Sequence, residues 1–553
     1  MPHEPPPRRA LSLWLERHSV LFFLLLVAAG SLRIVATYPV LSHTTDEPLH
    51  IACGMEWLDS GTYRFWAEQP PLSRVAAALG PYLAGRRNAG GPAECDFAHP
   101  MTVYERGNAI LWGDHRYNRN LALARLGILP FFWIASMVVY LWSKRYFGEP
   151  AAALAVFLFT FLPPILAHAG LATTDMALTA FTGAAFLSTV VWVESPSRGH
   201  SLMLGAATGL AVLSKFSSLA FLPASLVAAL ICYVTIARPR LRCLVAAARG
   251  WALPLCLAAF TGFVVTWAGY RFSFGKVDFT NIRLPAPELY AGIRQVLEHN
   301  RNGHPSYLLG SRGQYGWWYY YLVVIGVKTP LAFLILLFIG VFGCFKRLRR
   351  NDYIPLLPLA FSLGILLVSL TSRINIGVRH VLPVYMGFSI VAAGGAVWLL
   401  DLSRSRKWAG WTLGALLLWM AASSAGSHPD YIPYFHVLAG RQPERIVVDS
   451  DLDWGQDVKR VGKRLRELGA SSATYIPFYY PFLGAEVPGL PAYRAGDPLK
   501  PSPGWNAVSL STLKEYRLGY AGPPEIQAWP ERIKPMERIG KTTLLYYFPP
   551  DGK

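Results

Sequence analysis

Charged residues are scarce in this chain of 553 residues, at 15%, so the few set against apolar runs are the first place to look for chemistry. Asp46-Glu47 lies in the stretch His43-Thr44-Thr45-Asp46-Glu47-Pro48-Leu49-His50, at the end of the first long apolar run. Further along come Glu68, His168, Thr173-Thr174-Asp175, Lys215, His304 and Arg379-His380. Carboxylates facing cations at a membrane surface suit the transfer of a phosphate-linked group. Lys or Arg binds the phosphate and stabilises its departure, and a carboxylate accepts the proton of the incoming hydroxyl. Each residue also has a plainer reading. Thr45 or Asp46 can cap a helix with Glu47 in its first turn, and Asp175 after two threonines is a good helix start. Lys215 and Arg379 can snorkel from helix ends. Glu68 and His304 are of types that bind a divalent metal such as zinc, magnesium or manganese, but two such residues far apart in sequence define no site.

The elements that must position these groups are membrane helices. The chain is 53% hydrophobic, with 18 Trp, 27 Tyr and 29 Phe and a mean hydropathy of +0.30. Apolar runs at about 20–40, 121–142, 150–167, 176–193, 201–214, 217–236, 251–269, 319–343, 353–371, 380–400 and 409–425 predict about eleven spans, a few of them short. With the N-terminus inside, Lys144-Arg145, Arg198, Arg238 to Arg249, Lys346 to Arg350 and Arg404 to Lys407 all fall in short inner loops, as the positive-inside rule requires. Lys215 and Arg379 then lie on the side that is otherwise poor in cations, and an anionic partner is a physical reason to keep them there. The formal net charge of +19 would suggest nucleic acid in a soluble protein. Here the basic residues sit between apolar runs as topology signals, so no nucleic-acid partner is expected. Cys53 and Cys95 share the first outer loop and are candidates for a disulfide. The absence of any CxxC pair argues against a thiolate zinc site.

Three outer segments exceed simple connectors. In the first, about 41–120, Ile51, Met55 and Leu58 recur at helical spacing up to Gly61, and Pro70-Pro71 opens a second helix over 72–83. The second, about 270–318, holds His304 and leads into the aromatic run Trp317 to Tyr321, which reads as an interfacial belt. The third is the tail from about 427, where Ile446-Val447-Val448, Tyr475-Ile476, Ala507 to Leu510 and Leu544 to Phe548 read as strands. Val458, Val461, Leu465 and Leu468 mark one face of a helix ending at Gly469. The expected organisation is a transmembrane unit over 1–426 and a small α/β domain over 427–553. The acidic stretch 449–457 reads as a strand-to-helix turn capped by Asp457.

The ordered motifs Thr45-Asp46-Glu47-Pro48, Gln69-Pro70-Pro71-Leu72, Thr174-Asp175, Ser214-Lys215-Phe216-Ser217 and Asn375 to Pro383 resemble those of glycosyltransferase family 39. This is the GT-C group that includes protein O-mannosyltransferases and the aminoarabinose transferase of lipid A. Asp449 to Asp457 resembles a tail motif of bacterial members. The resemblance implies an all-α polytopic GT-C membrane fold, a polyprenyl-phosphate sugar donor, and inverting transfer to a hydroxyl of a protein, lipid or glycan acceptor. It implies Asp46 as general base in company with Glu47, and Asp175 as a second acid that orients sugar or acceptor. Lys215, Arg379 and His380 would bind donor phosphate. Glu68 and His304 lie roughly where the aminoarabinose transferase holds zinc, although several relatives work without metal. Many relatives carry His or Lys where this chain has Gln69, which puts one donor contact in doubt. No outer loop before the tail is long enough for the β-trefoil of the eukaryotic enzymes. The expected setting is therefore a bacterial inner membrane, with the N-terminus cytoplasmic and the tail domain outside. A transporter or flippase for a lipid-linked sugar is the alternative. It would place ionisable residues at mid-membrane and show inverted repeats, and the sequence shows neither.

Overall fold

A computed structural model of the chain describes residues 10–88, 100–348, 352–478, 489–497, 499–515 and 528–550. Cys53 is buried, while Cys95, and with it the expected pairing, lies outside the described residues.

Helices dominate because backbone in a bilayer core must satisfy its own hydrogen bonds, and each of the eleven apolar runs lies on helix. Among the described residues six helices are long and apolar enough to span: Arg17–Val35, Tyr117–Phe147, Asp175–Glu194, Ser218–Ala237, Gly250–Gly269 and Val384–Leu402. The count rises to eight if each of two bent pairs is one span. Proline explains the bends. The 150–167 run turns by 66° between Glu149–Thr160 and Pro163–Ala169, where Pro163-Pro164 withdraws two backbone donors. The 319–343 run turns by 116° between Tyr320–Lys328 and Leu331–Phe345, because Pro330 forces Thr329 into extended backbone. The runs at 201–214 and 353–371 give helices of 17 and 13 residues, Arg198–Ser214 and Leu357–Ser369. These are shorter than the roughly 20 residues that cross a bilayer.

The first outer segment follows its sequence pattern. The helix Glu47–Met55 loosens into a wider turn over Glu56–Ser60 and stops at Gly61, whose φ of 71° suits glycine. The next helix, Pro71–Leu83, starts at the Pro-Pro pair. These two helices touch at Gly54, where a Cβ would overlap the Arg74 carbonyl oxygen, so Arg74 is carried into the interior. The second outer segment forms two hairpins around the helix Pro287–Asn302. One pairs β1 (Phe274–Lys276) with β2 (Arg283–Pro285). The other pairs β3 (Ser306–Leu308) with β4 (Ser311–Gly313).

The tail contains a five-stranded mixed sheet built from β5 (Ser472–Ile476), β6 (Ala492–Ala495), β7 (Gly504–Ser509), β8 (Glu537–Ile539) and β9 (Thr543–Phe548), in the order β6-β5-β7-β9-β8. β5 runs parallel to β6 and β7, and β9 is antiparallel to β7 and β8. The helix Val458–Glu467 lays Val458, Val461 and Leu465 onto Ala473, Tyr475, Ala507 and Leu545. The strand expected at 446–448 is absent. Val447 and Val448 are buried between two short 3-10 turns, so their branched side chains pack the junction of tail and membrane helices without joining a ladder.

Candidate active site

The expected acids and bases converge. A cavity of about 590 Å³ is walled by the helices Glu47–Met55, Pro71–Leu83 and Pro100–Trp112 of the first outer segment, the helix Pro287–Asn302, the 369–380 turn and the tail. Asp46, Lys215, Arg379 and His380 lie on its polar wall, while Leu219, Phe221 and Val368 give it an apolar one.

Asp46 occupies the N-cap position of Glu47–Met55, yet its side chain makes no capping bond. Instead its Oδ2 accepts from Arg379 Nη1 at 3.0 Å, and the Asp46 side chain remains 25% exposed. Asp175 is the first residue of its helix, behind the N-cap Thr174, and its carboxylate is likewise turned to cations. Its Oδ1 takes the Lys215 ammonium at 2.7 Å, and its Oδ2 lies 3.9 Å from Arg379 Nη1 with no hydrogen-bond partner. Asp46, Arg379, Asp175 and Lys215 thus form one alternating chain of charges, and helix capping accounts for neither acid.

The tail completes this arrangement. Arg379 stacks over the Trp454 ring at 4.1 Å and donates from Nε to Ser450 Oγ at 3.2 Å. The Asp451 carboxylate accepts from the Val378 N–H at 3.1 Å. Lys328, at the break in the bent span, donates to the carbonyls of Ile432 and Asp451. Asp449 lines the cavity from a left-handed backbone position, with φ 58°, a region where aspartate is enriched. Burial, only partly offset by Arg379, pushes its carboxyl up to about 7. The 449–457 stretch is therefore more than a capped turn. Asp457 sits at the N-cap of Val458–Glu467, but its side chain accepts from Thr542 Oγ1 and pairs with Arg460.

One expected site residue needs correction. Glu47 does not line the cavity. It is fully buried, with both oxygens on Arg125 at 2.8 and 2.9 Å and further bonds from the Ala172 and Thr44 N–H groups. Burial raises its pKa, but the Arg125 charge and these donors outweigh burial and hold it below the usual carboxylate range. Every available lone pair faces the fold, so Glu47 anchors the loop. His380 does line the cavity, and its Nε2 has no partner. Burial, then the charges of Lys215 and Arg379, keep its pKa well below the ordinary value. A neutral ring adds no charge there, but its open nitrogen keeps hydrogen-bonding capacity for a phosphate.

Glu68 and His304 are brought together by a residue the sequence did not single out. His299 Nδ1 meets Glu68 Oε1 at 2.6 Å, and His299 Nε2 meets His304 Nδ1 at 3.0 Å. The hydrogen bond to Glu68 raises the His299 pKa. Burial and then the His299 charge push His304 down to about 4. Because His299 spends both ring nitrogens on its neighbours, the trio forms a chain of hydrogen bonds without a shared focus. Among the described residues no three His, Cys, Asp or Glu side chains are grouped to hold a metal ion.

Residues 119–267 match the family described as dolichyl-phosphate-mannose-protein mannosyltransferase. The family resemblance holds. That segment contains Asp175 and Lys215 but neither Asp46 nor Arg379. Among solved structures, ArnT from Cupriavidus metallidurans bound to undecaprenyl phosphate pairs with this chain at 15% identity and a TM-score of 0.48. The pairing covers 94% of this chain and 97% of that one. The Archaeoglobus fulgidus oligosaccharyltransferase tethered with an acceptor peptide pairs at 13% identity and 0.48, over 87% of this chain and 64% of its own. No curated protein matches.

Besides His299 and Asp449, sequence reasoning missed Arg74, His50 and Arg125 as members of the site or its support. Arg125 carried a usable signal. It is an ionisable residue inside a predicted span, which calls for a partner. Arg74 carried none, because an arginine in an amphipathic helix ordinarily faces water.

Proposed function

We propose that this chain is an integral-membrane glycosyltransferase that moves a sugar from a polyprenyl-phosphate donor to an acceptor hydroxyl at the extracytoplasmic face of a bacterial inner membrane. The observation that carries the reading is Asp46, a partly exposed carboxylate aimed by Arg379 into a cavity with one cationic wall and one apolar wall. The apolar wall suits a prenyl chain, and the cations suit its phosphate. In the reaction the acceptor oxygen attacks the anomeric carbon and its proton passes to Asp46. The bond from the anomeric carbon to the phosphate oxygen breaks, and its electron pair leaves with the phosphate. A direct displacement of this kind inverts the anomeric centre. Phosphate departs as a stable anion, so no strong general acid is needed, and Lys215 and Arg379 stabilise the growing charge. Asp175 holds Lys215 in position. Asp449 presents a second carboxyl to the sugar or acceptor hydroxyls.

The test is transfer by the purified full chain from a radiolabelled polyprenyl-phosphate sugar to extracted envelope material, with the anomeric configuration of the product read by NMR. Protein-dependent transfer with inversion supports the reading. Movement of intact donor across liposomes without bond cleavage would replace it with a flippase.

A further inference from the structure

Three buried cations line the cavity, Arg74, Lys215 and Arg379, and Arg125 lies behind its wall; three of these four have a carboxylate partner, Arg125 with Glu47, Arg379 with Asp46, and Lys215 with Asp175. The fourth is Arg74. It is fully buried, and among the described residues it makes no salt bridge. Its Nε donates to His50 Nδ1 at 3.1 Å, and its Nη1 donates to Tyr63 Oη at 2.9 Å and to the Trp66 carbonyl. Its Nη2 has no partner. The carboxylate in the same wall, Glu68, has its oxygens on His299 and Trp66. A buried guanidinium with no bonded carboxylate carries a desolvation cost that Tyr63 and, without contact, Glu68 offset, but the buried N–H donor without an acceptor keeps its own cost. Arg74 lines the cavity together with His50, Lys215 and Arg379, so a ligand there can supply what the protein does not.

We infer that Arg74, with the His50 it orients, is the principal anchor for a phosphate anion in this cavity. The inference rests on the glycosyltransferase reading and deepens it. By donating to Nδ1, Arg74 fixes the neutral His50 ring as the tautomer whose Nε2 carries the hydrogen, which adds a second donor beside the free Nη2–H. Charge balance favours this position. Arg379 and Lys215 are already neutralised by Asp46 and Asp175, so a phosphate reaching them first competes with a carboxylate. The single negative charge of a lipid-linked phosphodiester matches the single unpaired guanidinium. Once bound there, the phosphate sits in the same cavity as Arg379 and Lys215, which meet the charge that grows as the sugar leaves. Gln69, just ahead of the helix that carries Arg74, also lines the cavity and has an unpartnered Oε1. It offers hydrogen bonding but no charge, so Arg74 supplies the cation on this wall.

The experiment measures binding of undecaprenyl phosphate, undecaprenol and inorganic phosphate to the full chain in nanodiscs, for wild type, Arg74→Gln and Arg74→Lys. Wild type is expected to prefer the lipid phosphate over the alcohol by roughly tenfold or more, the worth of a charge-assisted bond. Arg74→Gln loses that preference while its affinity for undecaprenol stays unchanged. A folded Arg74→Gln protein that keeps the full preference would overturn the inference. Should that variant fail to fold, Arg74→Lys decides. The ammonium keeps the charge but not the fork, so the preference persists at a severalfold lower level, and an undiminished preference counts against the fork. Inorganic phosphate that displaces the lipid from wild type assigns the site to phosphate from either source, whereas failure to displace assigns it to the lipid headgroup. If phosphate binding depends on Arg74 while no sugar donor is ever consumed, the transferase reading falls and the anion site stands. If transfer proceeds and phosphate binding ignores Arg74, the reverse holds.

Discussion

Asp46 and Glu47 are neighbours in the chain, yet they serve the two sides of one loop. Behind the loop, Glu47 and Arg125 are both fully buried and bonded to each other, to backbone donors of Thr44 and Ala172, and to the carbonyls of Leu41 and Ser42. In front of it, Asp46 shares Arg379 with Asp175, keeps a quarter of its side chain exposed, and faces a cavity. The rear pair has no bonding capacity left for a ligand. The front set is incomplete, with an orphan oxygen on Asp175 and an orphan nitrogen on His380. The difference teaches how to tell anchoring charges from working ones. An anchor is fully satisfied within the fold, and a working group is held in place but left partly open.

Substitutions that separate the two sides sharpen this comparison. The largest effect on stability is expected from Glu47→Ala, which strands Arg125 in the interior. Breaking a buried pair by removing one partner costs roughly 3–5 kcal/mol, so the melting temperature should drop steeply and activity should go with it. A variant as stable as wild type would show that the rear pair anchors nothing. Next comes Arg379→Ala, which removes a charge-assisted contact and should raise the donor concentration at half-maximal rate by roughly tenfold. An unaltered donor dependence would assign Arg379 a purely structural role.

The smallest effect concerns pH. Burial pushes the carboxyls of Asp453 and Asp449 up to about 7 and that of Asp457 up to about 6, whereas unfolded aspartate titrates near 3.9. Between about pH 4 and those values the folded tail retains protons that the unfolded chain has lost, so stability falls as pH rises through this window. Asp453→Asn should flatten that decline in a melting series from pH 5 to 8, by about one group's share. A slope equal to that of wild type would mean that Asp453 does not titrate there.

Much of the fold was legible because bilayer thickness imposes a length on apolar runs, and threading those runs placed Asp46, Asp175, Lys215 and Arg379 on one side. Local proline effects were harder to weigh. Pro163-Pro164 and Pro330 were visible, but the bends of 66° and 116° depend on how the freed backbone groups are accommodated in three dimensions. Ile446-Val447-Val448 had strand-like residues and none of the pairing, because burial at a domain junction selects the same side chains as a sheet does. Glu47 was misjudged because adjacency to Asp46 says nothing about direction, and successive residues at a helix start point about 100° apart. Arg74 lay beyond sequence reasoning altogether. Its burial follows from the close approach at Gly54, which only the packing of the two first-loop helices reveals.

The most direct test compares Asp46→Asn and Glu47→Gln in one preparation, scoring sugar transfer and melting temperature together. The account predicts that Asp46→Asn melts like wild type and loses transfer by roughly 10²–10⁴-fold, the range of a general base. Glu47→Gln should lose stability first, and whatever remains folded should still turn over. Normal transfer by a stable Asp46→Asn protein, or a stable Glu47→Gln protein that is inactive, would contradict the division of labour between these two neighbours.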